Sequence, residues 1–127
     1  MSKIALSIDQ MKHLEALGID TSRASMSYLC VSGEWELRYA DAACREVFSR
    51  DYRPAFILSD LFDALPPVIH RGDVVVTLHI LYLPDSRVHV YYGSILAVPV
   101  CGSLLDALYS LLCMVAETFP EVLSLAH

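Results

Sequence analysis

The segment from Ser103 to Phe119 constrains the fold more than any other part of the chain. Its apolar residues, placed at helical spacing, cover one broad face: Leu104, Leu105, Leu108, Leu111, Leu112, Val115 and Phe119. Its polar residues form a thin strip along the other side: Ser103, Asp106, Ser110, Cys113 and Glu117. A helix of this kind must be covered on most of its circumference, by a sheet and by a further element.

The ends and borders of this helix carry their own signals. Ser103 with Asp106 three residues later resembles a capping box, and Pro120 predicts the end of the helix. Tyr109 and Met114 lie at the borders of the polar strip. A second protein chain that binds this helix is therefore expected to contact it at Tyr109 and Met114.

The apolar excess extends to the whole chain of 127 residues, which fits a single domain, residues 1–127. Hydrophobic residues make up 55% of it and charged residues 19%, a combination that argues against disorder. The surplus apolar surface needs a membrane or a protein interface. The best membrane-spanning window, Ile95 to Phe119, contains Asp106. Because a mid-span Asp costs about 2.5–3.5 kcal/mol on insertion, we expect no membrane association.

Charge, cysteine usage and the N-terminus indicate location and partners. The net charge of −6 disfavours general nucleic-acid binding, since phosphate contacts require a basic surface. The apolar runs after Met1 are too short for a signal peptide, and the four cysteines form no Cys-x-x-Cys pair. The sequence therefore predicts a cytoplasmic protein with reduced cysteines.

Two shorter helices are predicted. The first covers Ile8 to Leu17, because Ser7 and Gln10 match a capping box and Gly18 suits the left-handed residue after a helix. The second covers Leu58 to Leu65 and ends at a proline pair. The inward positions of the second helix are Leu58, Leu61, Phe62 and Leu65.

A first hairpin is predicted between these helices, with strands Ser25–Val31 and Glu34–Tyr39 around the turn Ser32-Gly33. The second strand alternates, which predicts a buried face of Trp35, Leu37 and Tyr39. Asp41 to Arg50 is compatible with a short helix, and Arg53-Pro54 indicates an extended link.

The second hairpin gives the strongest strand signal, with Asp73–Leu83 and Val88–Tyr92 flanking a turn-like loop. A symmetric two- or four-residue loop would mix apolar and polar residues on both faces. A three- or five-residue loop instead collects the apolar residues on one face: Val74, Val76, Leu78, Ile80, Tyr82, Val88, Val90 and Tyr92. We prefer the second register. Ile95 to Val100 is compatible with an extension at the sheet edge, to which Pro99 restricts it.

These elements predict an α+β fold, a two-layer sandwich with helices on one face of the sheet. The sheet is expected to have about four antiparallel strands, from the two hairpins. The element order is αββ(α)αββα, in which the bracketed helix is Asp41–Arg50.

The preferred register brings His79, His89 and Tyr91 together on the outer face of the sheet. Two imidazoles on adjacent strands can bind zinc, but the sequence offers no evident third ligand. The commoner explanation is a partly exposed aromatic face or a covered interface, and Trp35 on the first hairpin is a further candidate for such a face.

Other chemical motifs are unconvincing. Cys44 and Arg50 have the spacing of cysteine phosphatases, but the intervening residues contain no glycine for a phosphate-cradling loop. The segment His70–Asp73 is expected to be a polar loop. We therefore assign no catalytic residue, no cofactor-binding residue and no metal ligand, and expect no cofactor.

Three segments in this order carry a resemblance to a known group of proteins: Met11–Gly18, Pro54–Pro66 and Ser103–Tyr109. The chain resembles small proteins of no assigned activity that are encoded in prophages and mobile elements of gut bacteria. This resemblance implies a bacterial, cytosolic accessory protein and carries over no catalytic residue.

The leading hypothesis is a non-enzymatic interaction protein, either a homodimer or a subunit that binds another protein. Its basis is the apolar surplus, the thin polar strip on the long helix and the aromatic outer face. One alternative is a phage-derived inhibitor of a host protein. Another is a small ligand- or metal-binding protein or enzyme that uses the His79, His89 and Tyr91 face or the His70–Asp73 loop.

Overall fold

The structure, a computed structural model, describes residues 4–38 and 52–125. The predicted helix at Asp41–Arg50 lies outside these ranges. Residues 4–38 and 52–125 contain four helices: α1 (Ile8–Ala16), α2 (Leu58–Ala64), α3 (Leu104–Thr118) and α4 (Pro120–Leu125). The same described part of the chain contains seven strands: β1 (Met26–Val31), β2 (Glu34–Arg38), β3 (Tyr52–Ala55), β4 (Val68–Arg71), β5 (Val74–Tyr82), β6 (Val88–Tyr92) and β7 (Leu96–Ala97).

The predicted α+β class is confirmed. The strand pairs in the described ranges are all antiparallel, and they form a three-stranded sheet in the order β2-β1-β3 and a curled four-stranded sheet in the order β4-β5-β6-β7. Strands β3, β4 and β7 add to those of the two predicted hairpins. In the parts of the chain that the structure describes, each helix is too short or too polar to cross a membrane.

Helix α3 is the centre of the main core, as its pattern predicts. Leu108, Leu111, Leu112 and Val115 are completely buried. The helix packs against α2, α4, β6 and β7, which together supply the cover that its broad apolar face requires. The Ser103 hydroxyl caps it by accepting from the Asp106 backbone N–H at 3.3 Å.

Helix α1 has both halves of the predicted capping box. The Ser7 hydroxyl accepts from the Gln10 N–H at 3.1 Å, and the Gln10 side-chain oxygen accepts from the Ser7 N–H at 2.9 Å. Gly18 follows the helix with φ +88, the left-handed conformation that glycine adopts without strain. The Gln10 amide also donates to Asp106 Oδ1 at 3.1 Å, so the two helix starts are held together.

The first hairpin has the predicted strands and turn, but its burial differs from the prediction. Val31 pairs with Glu34 across Ser32-Gly33. Trp35 was predicted to be buried and is 44% exposed, so that prediction is wrong. The physical reason is that the three-stranded sheet covers only a small cluster of Ala5, Met26 and Ala55, which Leu37 reaches and Trp35 does not.

The Arg53-Pro54 segment is extended, as predicted, and it also forms an edge strand. Within β3, Pro54 lies opposite Ser27 of β1 and Arg53 lies opposite Tyr28. A proline is tolerated in an edge strand because its missing N–H does not interrupt a second ladder.

Helix α2 ends one residue before the predicted Leu65, and one inward residue is predicted wrongly. Leu61 is completely buried, whereas Phe62 is 38% exposed. The residue that ties α2 to the rest of the fold is Asp60, which is 8% exposed. Its carboxylate accepts from the Ser25 N–H at 3.0 Å, the Ser25 hydroxyl at 2.6 Å and the Ile57 N–H at 2.9 Å.

The second hairpin has the preferred register. Leu78 lies opposite Tyr92, Ile80 opposite Val90 and Tyr82 opposite Val88, with residues 83–87 as the connecting loop. Half of the predicted loop at His70–Asp73 is strand, since His70 and Arg71 belong to β4, and the other half, Gly72-Asp73, is the turn into β5. Strand β5 therefore pairs with β4 along its first half and with β6 along its second half.

The turn after β6 requires a glycine. Gly93 has φ +50, and a Cβ at this position would lie 2.8 Å from Cγ1 of Val76. A side chain here would clash with β5 at a backbone conformation that other residues rarely adopt. The turn therefore lies close against β5 beyond the end of β6.

Tyr92 makes the four-stranded sheet sensitive to alkaline pH. It is completely buried, its hydroxyl donates to the Pro66 carbonyl oxygen at 2.6 Å, and burial raises its pKa well above the ordinary value. Burial also raises the pKa of Tyr28, and with Cys113 nearby it raises the pKa of Tyr109 to about 12. The folded state therefore holds these protons more tightly than the unfolded state.

We expect the contribution of these tyrosines to the free energy of unfolding to be constant below about pH 10, the ordinary tyrosine pKa, and to fall as the pH rises above it. Tyr92→Phe should cost about 1–2 kcal/mol near neutral pH, because it leaves the buried Pro66 carbonyl without its donor. The variant should also lose less stability between neutral and alkaline pH than the wild type. Urea unfolding at a series of pH values measures both effects, and an equal alkaline loss in the two proteins would contradict this role of Tyr92.

Candidate functional site

The outer side of the four-stranded sheet carries the predicted aromatic residues. In β5, side chains that alternate with the core-facing set point outwards, and the register places His79 opposite Tyr91 and Leu81 opposite His89. We call this surface the outer face and define it by Val75, Thr77, His79, Leu81, His89 and Tyr91.

Three rings on the outer face form one stack. The His79 and Tyr91 rings are parallel to within 10°, with centroids 5.1 Å apart. His89 lies on Tyr91 at 4.9 Å with a tilt of 34°. Thr77 Oγ1 is 2.9 Å from His79 Nε2, which orients the imidazole. The face therefore presents rings that their neighbours already hold in position.

The outer face also carries apolar side chains that the sequence interpretation left out. Val75 is 55% exposed and Leu81 is 48% exposed. The signal was present in the sequence, because both residues occupy odd positions of β5 and share a face with His79. Together with the stacked rings, they make the face substantially apolar.

Metal binding by this face finds no support in the geometry. The rings of His79 and His89 both contact Tyr91. Across residues 4–38 and 52–125, no group of three or more His, Cys, Asp or Glu side chains is arranged to hold a metal ion. What the face offers to a partner is ring surface and apolar side chains.

The other predicted interface residues lie elsewhere. Trp35 belongs to β2, in the three-stranded sheet, where it lies opposite Cys30 of β1. Tyr109 and Met114 are on α3, and both are partly buried against the main core. His13 of α1 packs edge-on against Tyr109 with ring centroids 6.3 Å apart. The structure therefore does not bring Trp35, Tyr109 or Met114 together with the outer face.

Cys113 lies beside Tyr109 on the polar strip of α3. Burial raises the pKa of the Cys113 thiol, so the protonated form is favoured near neutral pH. A protonated, half-buried thiol is a weak nucleophile, and Cys113 is better described as part of the helix packing.

A cleft of about 940 Å³ lies at the start of α3, where Ile4, β1, the start of α2 and the β5–β6 hairpin converge. Leu104, Leu105 and Tyr82 line it with the Asp106 carboxylate, and its lining includes no Lys or Arg. This chemistry suits an apolar group better than an anion. The sequence interpretation missed the cleft because its walls come from segments that are far apart in the chain.

We compared the sequence with models of protein families and with curated proteins, and the fold with solved structures. None of them matches.

Proposed function

We propose that this protein is a protein–protein interaction module that self-associates through the β5–β6 side of its four-stranded sheet. The observation that supports this most directly is the composition of the outer face, where half-exposed Val75 and Leu81 adjoin the stack of His79, Tyr91 and His89. Contiguous apolar and aromatic surface of this kind is typical of binding sites for proteins.

The charge pattern supports a protein partner as well. From Val74 to Leu83 the sequence contains no Lys, Arg, Asp or Glu. Charged residues are depleted at the centre of protein interfaces, because their desolvation is costly, whereas tyrosine is enriched there. The stacked rings also lose little conformational freedom when a partner binds, which reduces the entropy cost of association.

Sedimentation of the purified chain over a wide concentration range tests this function. We expect the average mass to rise from 14.1 kDa, the mass of one chain, towards twice that value. The control is Trp35→Ser, which removes an exposed aromatic side chain from the other sheet and should leave the dissociation constant unchanged. A mass that stays at one chain throughout would contradict the proposal, and so would loss of association in Trp35→Ser.

A further inference from the structure

We propose that two copies of this chain dimerise by pairing the edge of β5 at Ile80–Tyr82 in antiparallel fashion about a two-fold axis at Leu81. This inference rests on the proposed function and names both the partner, a second copy, and the way it binds. It is carried by the direction of backbone groups along β5 and by the absence of protection at this edge.

The backbone direction follows from hydrogen bonds on both sides of β5. The Leu78 N–H donates to the Pro67 carbonyl oxygen at 3.1 Å, on the side where β4 lies. The Leu83 N–H donates to the Arg87 carbonyl oxygen at 2.9 Å, on the side where β6 lies. Because successive residues of a strand point their backbone groups to opposite sides, Ile80 and Tyr82 point to the same side as Leu78.

No strand occupies that side beyond Leu78 in the described ranges, 4–38 and 52–125. Strand β4 begins at Val68, opposite Thr77, so the ladder stops before Ile80. The side chains there are accessible, since Tyr82 is 65% exposed and Ile80 is partly exposed. The N–H and C=O groups of Ile80 and Tyr82 therefore form a short open edge that suits another strand.

The other sheet edges that the structure describes carry the features that block pairing. Strand β2 bears Glu34, Glu36 and Arg38, β3 contains Arg53 and Pro54, β4 ends in Arg71, and β7 is two residues long. At the first half of β5, the turn at Gly93 lies against Val76. The segment from Val74 to Leu83, by contrast, is uncharged. Charge and proline keep natural edges unpaired, so their absence here indicates an edge that is covered in use.

The edge is complementary to itself. With Leu81 on the two-fold axis, Ile80 lies opposite Tyr82 of the second copy, and each such pair exchanges two N–H···O bonds. The next pair whose backbone groups face each other would be Leu78 with Pro84 of the second copy. Pro84 has no N–H, and the Leu78 N–H already donates to Pro67, so this register leaves no donor of either residue unpaired. The ladder between the two copies is therefore limited to the pairs of Ile80 with Tyr82.

The axis also accounts for an exposed leucine. Leu81 of one copy would lie directly opposite Leu81 of the other on the outer face, with Cβ atoms about 4.5–5.5 Å apart. Each copy would cover a side chain that is 48% exposed in the single chain. The two outer faces would then join into one continuous surface.

Charge substitutions at Leu81 test this arrangement. Leu81→Lys and Leu81→Glu each place like charges opposite one another at the axis, and each should raise the dissociation constant of the dimer by about a hundredfold or more. An equimolar mixture of the two variants should recover dimerisation, because lysine then lies opposite glutamate. The control is Trp35→Lys, which places a charge at a side chain of similar exposure, 44%, in the other sheet and should dimerise like the wild type.

Sedimentation of each variant and of the mixture gives the result, and urea unfolding confirms that each variant is folded. Amide hydrogen exchange of the wild type is a second measurement that needs no variant. The amides of Ile80 and Tyr82 should exchange slowly at high protein concentration and fast at low concentration.

The outcomes separate this inference from the proposed function. A wild type that never exceeds the mass of one chain overturns both. A wild type that associates, with Leu81→Lys associating equally well, overturns the edge pairing alone. The pairing is also overturned if the mixture fails to recover dimerisation, if Trp35→Lys dissociates the dimer, or if exchange at Ile80 and Tyr82 does not depend on concentration.

Discussion

Leu108→Ala is expected to lower the free energy of unfolding by about 3–5 kcal/mol. Leu108 is completely buried in α3, in a core formed with α2 and the four-stranded sheet. Its truncation removes apolar surface from the core and leaves a cavity, because elements packed on several sides of the helix cannot all move in to fill it. Urea unfolding followed by circular dichroism measures the loss.

Leu104→Ala is the matched control for this prediction. It makes the same chemical change in the same helix, at a position that is only partly buried and lines the cleft. We expect it to cost less than half as much as Leu108→Ala, since less apolar surface returns to water. Equal losses in the two variants would show that α3 is not covered on the Leu108 side as described.

The second large effect is expected at Asp60. Asp60→Ala should lower the free energy of unfolding by about 2–4 kcal/mol, because the Ser25 N–H, the Ser25 hydroxyl and the Ile57 N–H lose a charged acceptor. These bonds join the start of β1 to the start of α2, so their loss loosens the contact between the three-stranded sheet and the helix. Chemical unfolding of Asp60→Ala at neutral pH measures the loss.

Two further variants control for this effect. Asp63→Ala, an exposed carboxylate on the same helix, should change stability by no more than about 0.5 kcal/mol. Combining Asp60→Ala with Ser25→Ala in a double-mutant cycle should give a coupling of about 1 kcal/mol or more, because the two side chains bond directly. A purely additive cycle would contradict the assigned contact.

Local patterns predicted the parts of the fold that depend on near neighbours in sequence. The capping box of Ser7 and Gln10 closes within one turn of helix, and the alternation along β5 places Val76 and Ile80 on one side whatever covers them. The register of the second hairpin follows from the same alternation, because a shift by one residue would expose its whole apolar set. These features are consequences of helix and strand geometry.

Strand β4 shows where such patterns fail. Val68–Arg71 is four residues long, follows a proline pair and has no alternation long enough to be recognised. It forms because β5 extends beyond its pairing with β6, so that the first half of β5 pairs with the preceding segment. A strand of this length depends on its partner, and the partner is known only once the chain has folded.

Burial was predicted least well, for a related reason. Periodicity states which side of an element is apolar, but not whether another element covers that side. Trp35 and Phe62 both lie in apolar patterns and are 44% and 38% exposed. Neither residue belongs to the main core, which is built around the large side chains of α3.

The sequence by itself determined the helices and hairpins, the register of β5 with β6 and the place of α3 at the centre, because these depend on spacing and on hydrogen bonds between nearby residues. Only the tertiary structure decided which apolar residues stay outside and which backbone groups have no neighbour. Leu81 lies on the outer face and is 48% exposed. Ile80 and Tyr82 form an open edge because the ladder between β4 and β5 ends at Val68 and Thr77. Whether an apolar side chain is covered and whether a strand edge is paired both depend on where distant segments of the chain pack.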